Sequence, residues 1–192
     1  MRRASLLLLS FFVVYSVQSQ TTWKADPAHS FIQFEVSHLA ISTVTGKFTE
    51  FSCELEARKN SFEDAKVVAK VNVASISTEN LTRDKHLKED DFFNAKEFPQ
   101  MSFVSDSFKK VTDDQYEITG TLTIRDVSKI ITFPATYSGM ITMGDKTISA
   151  FKANFIINRF DYKLKWDDTL DTGSLIVGED VTVELNLELV KK

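Results

Sequence analysis

The strongest constraint on the fold of this chain is the alternation of apolar and polar residues along most of its length. In residues 116–124 and 181–189 every second residue is apolar, apart from Gly120. Successive side chains of a β-strand point to opposite faces, so this pattern is typical of strands with one buried face. Gly120 weakens such a strand, which indicates a bulge or the close approach of another group.

The alternation recurs in eight segments and predicts eight strands. The segments are residues 32–36, 48–57, 67–73, 101–110, 116–124, 131–137, 148–157 and 177–189. A loop is expected at residues 39–43, the step from Phe48 to Phe51 indicates a β-bulge, and Pro134 indicates an irregularity or an exposed edge. An even number of antiparallel strands with short turns is typical of an up-and-down barrel. We therefore predict an all-β fold, an eight-stranded antiparallel barrel whose interior can hold side chains or one small ligand.

One stretch near the middle of the chain lacks the alternation and predicts a short helix. Asn80 can cap its first turn. Opposite charges lie four residues apart in the pairs Asp84–Lys88 and Lys85–Glu89, which suits a helix face. A helix of about ten residues is marginal alone, so it needs apolar anchors, for which the candidates are Leu81, Leu87, Phe92 and Phe93.

We expect this helix to cover one end of the barrel as a lid. Its apolar contacts would come from Leu87, Phe92 and Phe93, and its polar contacts from Arg83, Asp84 and His86. Arg83 and Asp84 could form an acid/base pair, but an ion pair that anchors the helix is the favoured interpretation.

Length and charge limit the classes of partner. The chain has 192 residues, 43% of them hydrophobic and 16 of them Phe, which suits one domain with a sizeable core. The net charge is −4, and it becomes about −6 once Arg2 and Arg3 are removed with an N-terminal signal. An acidic chain is a poor partner for nucleic acid or for an anionic membrane surface.

Residues 1–19 have the pattern of a secretory signal peptide. Arg2 and Arg3 precede an apolar run at residues 6–14, which is too short to span a bilayer, and Val17 and Ser19 provide a small-residue cleavage site. We favour a cleaved signal over a membrane anchor, with residues 20–192 as the mature domain and a periplasmic or secreted location.

Cys53 is the single cysteine, so no internal disulfide is possible. It alternates with Phe51 and Leu55, which indicates a small buried apolar residue rather than a nucleophile.

Four segments resemble the YceI-like polyisoprenoid-binding family. They read DPAHSFIQFEVSHLAISTVTGKF, STENLTRDKHLKEDDFFNAKEFPQMSF, GTLTIRDVSK and FIINRFDY, and the likeness extends from Trp23 to Val190. The resemblance implies a secreted or periplasmic lipocalin-like barrel. It also implies that a long isoprenoid or similar lipid chain lies in an apolar tunnel, with no established catalysis.

The chain departs from the family pattern at three places. Asp126 replaces a frequent Gly, Ile130 and Ile131 stand where Pro is frequent, and Tyr162-Lys163 replaces an aromatic-Gly pair. We expect a changed turn at Asp126, because Asp tolerates turn conformations. We expect an altered loop at Lys163, with an effect on ligand access.

The alternation and the resemblance together predict the ligand-binding residues. His38 is in register with the first strand and could bond a ligand head group. The tunnel lining is expected to include Ile32, Phe34, Val36, Val71, Phe103, Leu122, Phe133 and Phe155. A register error of one residue would invert this choice of face.

A metal site is not expected. His29, His38 and His86 could be combined with Asp26 or Asp84, but the spacings match no metal-ligand motif. His29 and His38 would lie about 30 Å apart on an extended strand. We expect His86 to bond backbone groups instead and to fix the helix over the barrel.

We predict that the chain binds a polyisoprenoid or an isoprenoid quinone for sequestration or transport outside the cytoplasm. A fatty acid or fatty amide is the alternative ligand. Two other classes remain open: an enzyme that acts on a lipid head group with His38 or Arg83 near the mouth, and a structural stress protein with a filled core. No cofactor is expected besides the bound lipid, and a homodimer is compatible with the sequence.

Overall fold

The structure is a computed structural model that describes residues 19–192, so the predicted signal peptide, apart from Ser19, lies outside the described residues. These residues form eleven strands, one α-helix (α1, Leu81–Leu87) and two 3₁₀ turns at Val73–Ser75 and Arg159–Tyr162. The strands are β1 (Thr21–Ala25), β2 (Phe31–His38), β3 (Ser42–Phe48), β4 (Phe51–Ala57), β5 (Lys66–Asn72), β6 (Ile76–Ser77), β7 (Gln100–Lys110), β8 (Gln115–Ile124), β9 (Val127–Met143), β10 (Lys146–Asn158) and β11 (Val177–Lys191).

The eleven strands occupy eight positions around one closed antiparallel barrel, which confirms the predicted fold class. β1 and β2 follow each other along the same edge of β11, and β4 and β3 pair with them in turn. β5 and the short β6 share the next position, and β7 to β11 fill the other five in sequence order. The β1–β11 pair closes the barrel, and β3, on its side away from β2, pairs among the described strands only with the two-residue strand β6.

Of two local expectations along these strands, one is confirmed. The predicted β-bulge between Phe48 and Phe51 is wrong, because β3 ends at Phe48 and a separate strand, β4, begins at Phe51. At Gly120, a β-carbon would collide with the ring of Phe103 and the carbonyl of Val104, and the register of β7 against β8 shifts just after Ser105, the partner of Gly120. Close approach and a bulge therefore occur together.

The predicted loop at residues 39–43 is present but shorter, because residues 39–41 form a tight hairpin turn and β3 begins at Ser42. Leu39 and Ala40 make the turn with φ angles of 54° and 59°. This left-handed conformation is uncommon for residues other than Gly, Asn and Asp, so the sequence carried no signal for it.

The helix is shorter than predicted. Asn80 caps it as expected, accepting a hydrogen bond from the Arg83 N–H at 3.0 Å. It ends at Leu87, and turns follow as far as residue 97. Leu81 is 89% exposed and anchors nothing, and neither predicted charge pair, Asp84–Lys88 nor Lys85–Glu89, is among the ion pairs of the described residues.

Two apolar clusters fill opposite ends of the barrel. The end at the β4–β5 loop, called the base here, is closed by aromatic side chains around Phe62, which is fully buried. These side chains are Trp23, Phe108, Tyr116, Tyr137 and Phe151. The other cluster lies at the end where α1 and the segment to residue 98 pack, called the helix end here; Leu87 and Phe93 contact it.

Cys53 is 3% exposed, which confirms that it is a buried apolar residue. In residues 19–192 no helix combines the length and the apolar character needed to cross a bilayer.

Candidate functional site

A cavity of about 230 Å³ lies inside the barrel between the base and the helix end. Its wall is almost entirely apolar and comes mainly from the inward face of the strands. Leu87, Phe92 and Phe93 add to it from the helical segment, and Tyr162 and Leu164 from the segment after β10. Such a site can hold an apolar chain, and it offers few polar contacts to a ligand.

The structure brings eight of the nine predicted ligand-binding residues to this cavity. His38 does not line it: this residue ends β2, where it pairs with Ser42 and Val177. Its predicted contact with a ligand head group therefore has no support from the geometry. The residues that do line the cavity are Ile32, Phe34, Val36, Val71, Phe103, Leu122, Phe133 and Phe155.

The polar contacts of α1 converge on Thr78. The Arg83 side chain donates from Nε to the Thr78 hydroxyl at 2.7 Å and from Nη2 to the Thr78 carbonyl at 2.9 Å. Asp84, which is buried, accepts from the Thr78 N–H at 2.7 Å and from its hydroxyl at 2.6 Å. The predicted Arg83–Asp84 ion pair does not form; both side chains instead fix the chain that enters the helix.

His86 bonds a carboxylate, so the expectation that it bonds backbone groups is wrong. Its Nε2 lies 2.7 Å from Asp91 Oδ2. The imidazole packs edge-on against Phe92 and Trp166, whose rings stack on each other at 5.9 Å. The carbonyl of Asp91 accepts from the N–H groups of Lys165 and Trp166, so the helical segment is bound to the loop after β10.

Arg125 makes the most hydrogen bonds between segments at the helix end, and sequence analysis predicted only a tight turn at this position. Its Nη1 donates to the carbonyls of Asp90 and Phe92 at 2.7 Å and of Lys163 at 3.0 Å. Its Nη2 bonds Asp90 Oδ1, and its guanidinium lies over the ring of Phe98. One side chain from the β8–β9 turn thus joins three segments.

Two of the departures from the family pattern contact each other. Lys163 Nζ lies 2.5 Å from Asp126 Oδ2, and this hydrogen bond is the main reason that the pKa of the Asp126 carboxyl is lowered. Lys163 adopts a φ of 60°, the left-handed conformation that glycine takes easily. Lys163 thus adopts a conformation that usually favours glycine.

Arg159 and Tyr162 are buried polar residues that line the cavity and that the sequence analysis missed. The Arg159 guanidinium donates to the carbonyls of Gly178, Leu164 and Val177 at 2.8–2.9 Å. The Tyr162 hydroxyl is buried and has no partner among the described residues. Both belong to the 3₁₀ turn after β10, where no period-two pattern marks which side chains point inward.

Away from the cavity, Asp26 and His29 meet Glu188. His29 Nδ1 lies 3.1 Å from Asp26 Oδ2 and 3.8 Å from Glu188 Oε1. One ligand atom from each residue lies within 4.8 Å of the others, so this set has metal-ligand geometry that the spacing along the sequence did not indicate. The ion pairs among the three residues are enough to explain why these side chains lie together. The hydrogen bond to Asp26 is the main cause of the raised pKa of His29.

Comparison with known proteins extends over most of the chain. A UPF0312 protein of Staphylococcus aureus (strain MRSA252) is 34% identical over 170 residues, which cover 88% of this chain and 96% of that protein. The crystal structure of a YCEI protein from Campylobacter jejuni superposes with a TM-score of 0.71 at 35% identity and covers 81% of this chain and 90% of that one.

A polyisoprenoid-binding domain from Saccharophagus degradans, implicated in plant cell wall breakdown, shares the fold. Its TM-score is 0.64 at 16% identity, with 87% of this chain and 97% of that chain covered. Residues 23–189 match the sequence profile of the YceI-like domain. With that match across nearly the whole barrel, the protein belongs to the YceI-like family.

Proposed function

We propose that this protein binds a long apolar chain, a polyisoprenoid or an isoprenoid quinone, inside its barrel and keeps it from water during sequestration or transport. The observation that carries the proposal is the apolar cavity inside a barrel whose base is closed by aromatic side chains. The fold shared with the S. degradans polyisoprenoid-binding domain is consistent with it. Fold alone does not determine function, so the argument rests on the chemistry of the cavity.

Burial of the ligand supplies the largest favourable contribution to binding. One buried CH₂ is worth about 0.8 kcal/mol, so a five-carbon unit is worth about 3–4 kcal/mol. Four units give roughly 12–16 kcal/mol before the cost of association, which is about 4–15 kcal/mol. The chain length and width of the ligand should therefore dominate its selection, and fatty acids or fatty amides of matching length are the alternative ligands.

The helix end is the proposed route into the cavity. At the base, Phe62 and its aromatic neighbours fill the barrel, and the Tyr116 hydroxyl fixes the β4–β5 loop through the Ser61 carbonyl at 2.6 Å. At the helix end, closure depends on a seven-residue helix and the turns after it. A short helix is held by its tertiary contacts, so this unit can open while the strands remain paired.

The predicted signal peptide supports action outside the cytoplasm. Intact-mass measurement on protein from the native host tests this part, and the expected mature chain begins at Gln20. A mass that retains residues 6–14 would exclude cleavage of the signal.

The rival function is an enzyme that acts on lipid head groups. The geometry does not place either of its two candidate residues where it could act on a ligand in the cavity. Arg83, one of its two candidate residues, has its guanidinium occupied by Thr78. His38, the other, does not line the cavity. A binding protein accounts for the same barrel without either residue.

Native mass spectrometry of the purified protein tests the proposal. Val183 lines the cavity, and the neighbouring Thr182 does not. We expect the wild type and Thr182→Trp to carry or take up a prenyl chain, and Val183→Trp, which fills the cavity, to lose it. A wild-type barrel that is empty as purified and binds no added prenyl chain would instead favour a structural protein with a filled core.

A further inference from the structure

The 3₁₀ turn Arg159–Tyr162 contributes two polar residues to the lining of a cavity whose exposed wall is apolar. In a 3₁₀ helix residues three apart lie one above the other, so Arg159 and Tyr162 occupy the same face of the turn. Both line the cavity, and Tyr162 belongs to the apolar cluster of the helix end. The two residues therefore lie at the end of the cavity that α1 covers.

The Tyr162 hydroxyl is a hydrogen-bond donor without an acceptor. The residue is 2% exposed, its oxygen is out of contact with solvent, and no described residue accepts from it. Buried hydroxyl groups nearly always have a partner, so an unpartnered one at a ligand cavity indicates a partner supplied by the ligand. Burial also raises the pKa of Tyr162 to about 12, so at neutral pH the hydroxyl keeps its proton and donates it.

Arg159 adds a positive charge near the cavity, and some of its guanidinium N–H groups have no hydrogen-bond acceptor among the described residues. The residue is 3% exposed and bonds three carbonyls, which leaves one N–H on each terminal nitrogen without a partner among the described residues. None of the ion pairs of residues 19–192 includes it. The guanidinium lies over the Phe160 ring at 4.1 Å, and the carboxylates of Asp167 and Glu179 attract it without bonding to it, so its remaining N–H groups still favour an electron-rich oxygen nearby.

We propose that Tyr162 and Arg159 form a seat for the polar end of the ligand, which carries a hydrogen-bond-accepting oxygen, with the apolar tail extending toward the base. This inference rests on the proposed function, because it assumes that an apolar chain occupies the cavity. It adds that the ligand is not a plain hydrocarbon and that its orientation is fixed. The oxygen could be neutral, as in a ketone or quinone, or anionic, as in a carboxylate, and the test separates these two sources.

The test compares chains of one length that end in a methyl group, a methyl ketone or a carboxylate. We expect the wild type to bind the ketone about tenfold more tightly than the hydrocarbon, the effect of one buried hydrogen bond. Tyr162→Phe should remove this preference and leave hydrocarbon affinity unchanged or higher. A carboxylate that binds more tightly than the ketone would identify an anionic head group, and one that binds more weakly would identify a neutral oxygen.

Tyr116→Phe is the matched control. Its hydroxyl is satisfied by the Ser61 carbonyl at the base, so its removal should lower the unfolding midpoint and leave the ketone preference intact. Tyr162→Phe should raise the midpoint of the ligand-free protein, because it deletes an unsatisfied buried group. If the wild type binds the ketone and the hydrocarbon equally, or if Tyr162→Phe still prefers the ketone, the proposed head-group seat is wrong. Lipid binding itself is not contradicted by either result. Failure of all three chains to bind would overturn the proposed function itself.

Discussion

The ring of Phe34 in β2 occupies the space that a side chain on Gly46 in β3 would need. The two residues are direct partners across the strand pair. A β-carbon on residue 46 would meet three atoms of that ring before any other group. Because Gly46 has no side chain, the Phe34 ring rests against the neighbouring strand and leaves the cavity open.

This relationship predicts that Gly46→Ala and Phe34→Ala change ligand selection in opposite directions. Gly46→Ala should push the ring into the cavity, so that the longest or widest chains no longer bind. Phe34→Ala should enlarge the cavity and admit bulkier chains. Affinities for a series of straight and branched chains measure the effect, and unchanged selectivity in both variants would show that Phe34 does not limit the cavity.

Gly120→Ala is expected to destabilise the fold more than Gly46→Ala, although both glycines lie against a phenylalanine ring. A β-carbon there would collide with the backbone oxygen of Val104 as well as with the Phe103 ring. A ring can rotate away and a paired strand cannot, so Gly120→Ala should lower the free energy of unfolding more than Gly46→Ala does. Chemical denaturation of both variants checks this, and equal losses would contradict it.

The strands were predictable from the sequence because burial imposes a pattern on them. Phe34, Leu122 and Phe133 line the cavity as predicted, since a strand in a barrel has one inward face and the alternation reveals it. Along β9 the alternation predicted only residues 131–137, although the strand runs from Val127 to Met143. Its end beyond the core has exposed positions on both faces, such as Ile141 and Thr142, and therefore no pattern.

The helix end was less predictable because its contacts join residues far apart in the chain. Arg125 bonds carbonyls more than thirty residues away in both directions, and a carbonyl acceptor leaves no trace in the sequence. Tyr162 lies in a 3₁₀ turn of four residues, too short for a period to show. His29 likewise meets Glu188 only because β11 closes the barrel beside β1.

The hydrogen bonds of Arg125 at the helix end predict that Arg125→Ala weakens the closure of the cavity by residues 81–98. The side chain is 6% exposed and holds the carbonyls of Asp90, Phe92 and Lys163. Its loss should speed lipid dissociation and hydrogen exchange in residues 81–98, while the strand amides stay protected. Lys129→Ala, which removes an exposed cation paired with Asp161, is the control and should change neither. Unaltered dissociation in Arg125→Ala would show that this segment does not gate the cavity.

Phe92→Ala tests the apolar half of the same closure. Phe92 is 5% exposed and packs between His86 and Trp166. Truncation should cost about 3–5 kcal/mol of local stability and accelerate dissociation further. Arg83→Ala should act in the same direction but more weakly, through the loss of its bonds to Thr78. An enzyme would give the reverse for Arg83→Ala, with turnover abolished and lipid retention unchanged.

The Asp26–His29 pair predicts a pH dependence of stability. The pKa of His29 is raised, mainly by its hydrogen bond to Asp26, so its contribution is fully present below the unfolded-state pKa of about 6.5 and is lost as the pH rises through the folded-state pKa. The pKa of Asp26 is lowered, mainly by its bond to the Ala28 N–H, so its contribution is lost as the pH falls. The pair should therefore stabilise the fold most between the two folded-state pKa values.

Thermal unfolding between about pH 5 and pH 9 measures this effect. The wild type should lose stability relative to His29→Gln as the pH rises, and the difference should disappear at high pH. Asp26→Asn keeps an oxygen that can accept from the Ala28 N–H but removes the charge, so it should show the same flattened dependence. A constant difference between the wild type and His29→Gln across the range would contradict the prediction.

Cys53 provides a direct measure of cavity occupancy. It lines the cavity, and burial raises the pKa of its thiol from 9.0 to about 12, so at neutral pH it forms roughly a thousandfold fewer thiolates than an ordinary cysteine. We expect very slow reaction with a small apolar thiol reagent, a rate that rises with pH, and further slowing when a lipid is bound.

Intact-mass measurement follows the reaction without ambiguity, because the chain has one cysteine. Protein unfolded in denaturant is the control and should react at the rate of a free thiol. If the folded protein reacts equally fast with and without a bound lipid, the lipid does not lie against β4, and the cavity described here is not its site.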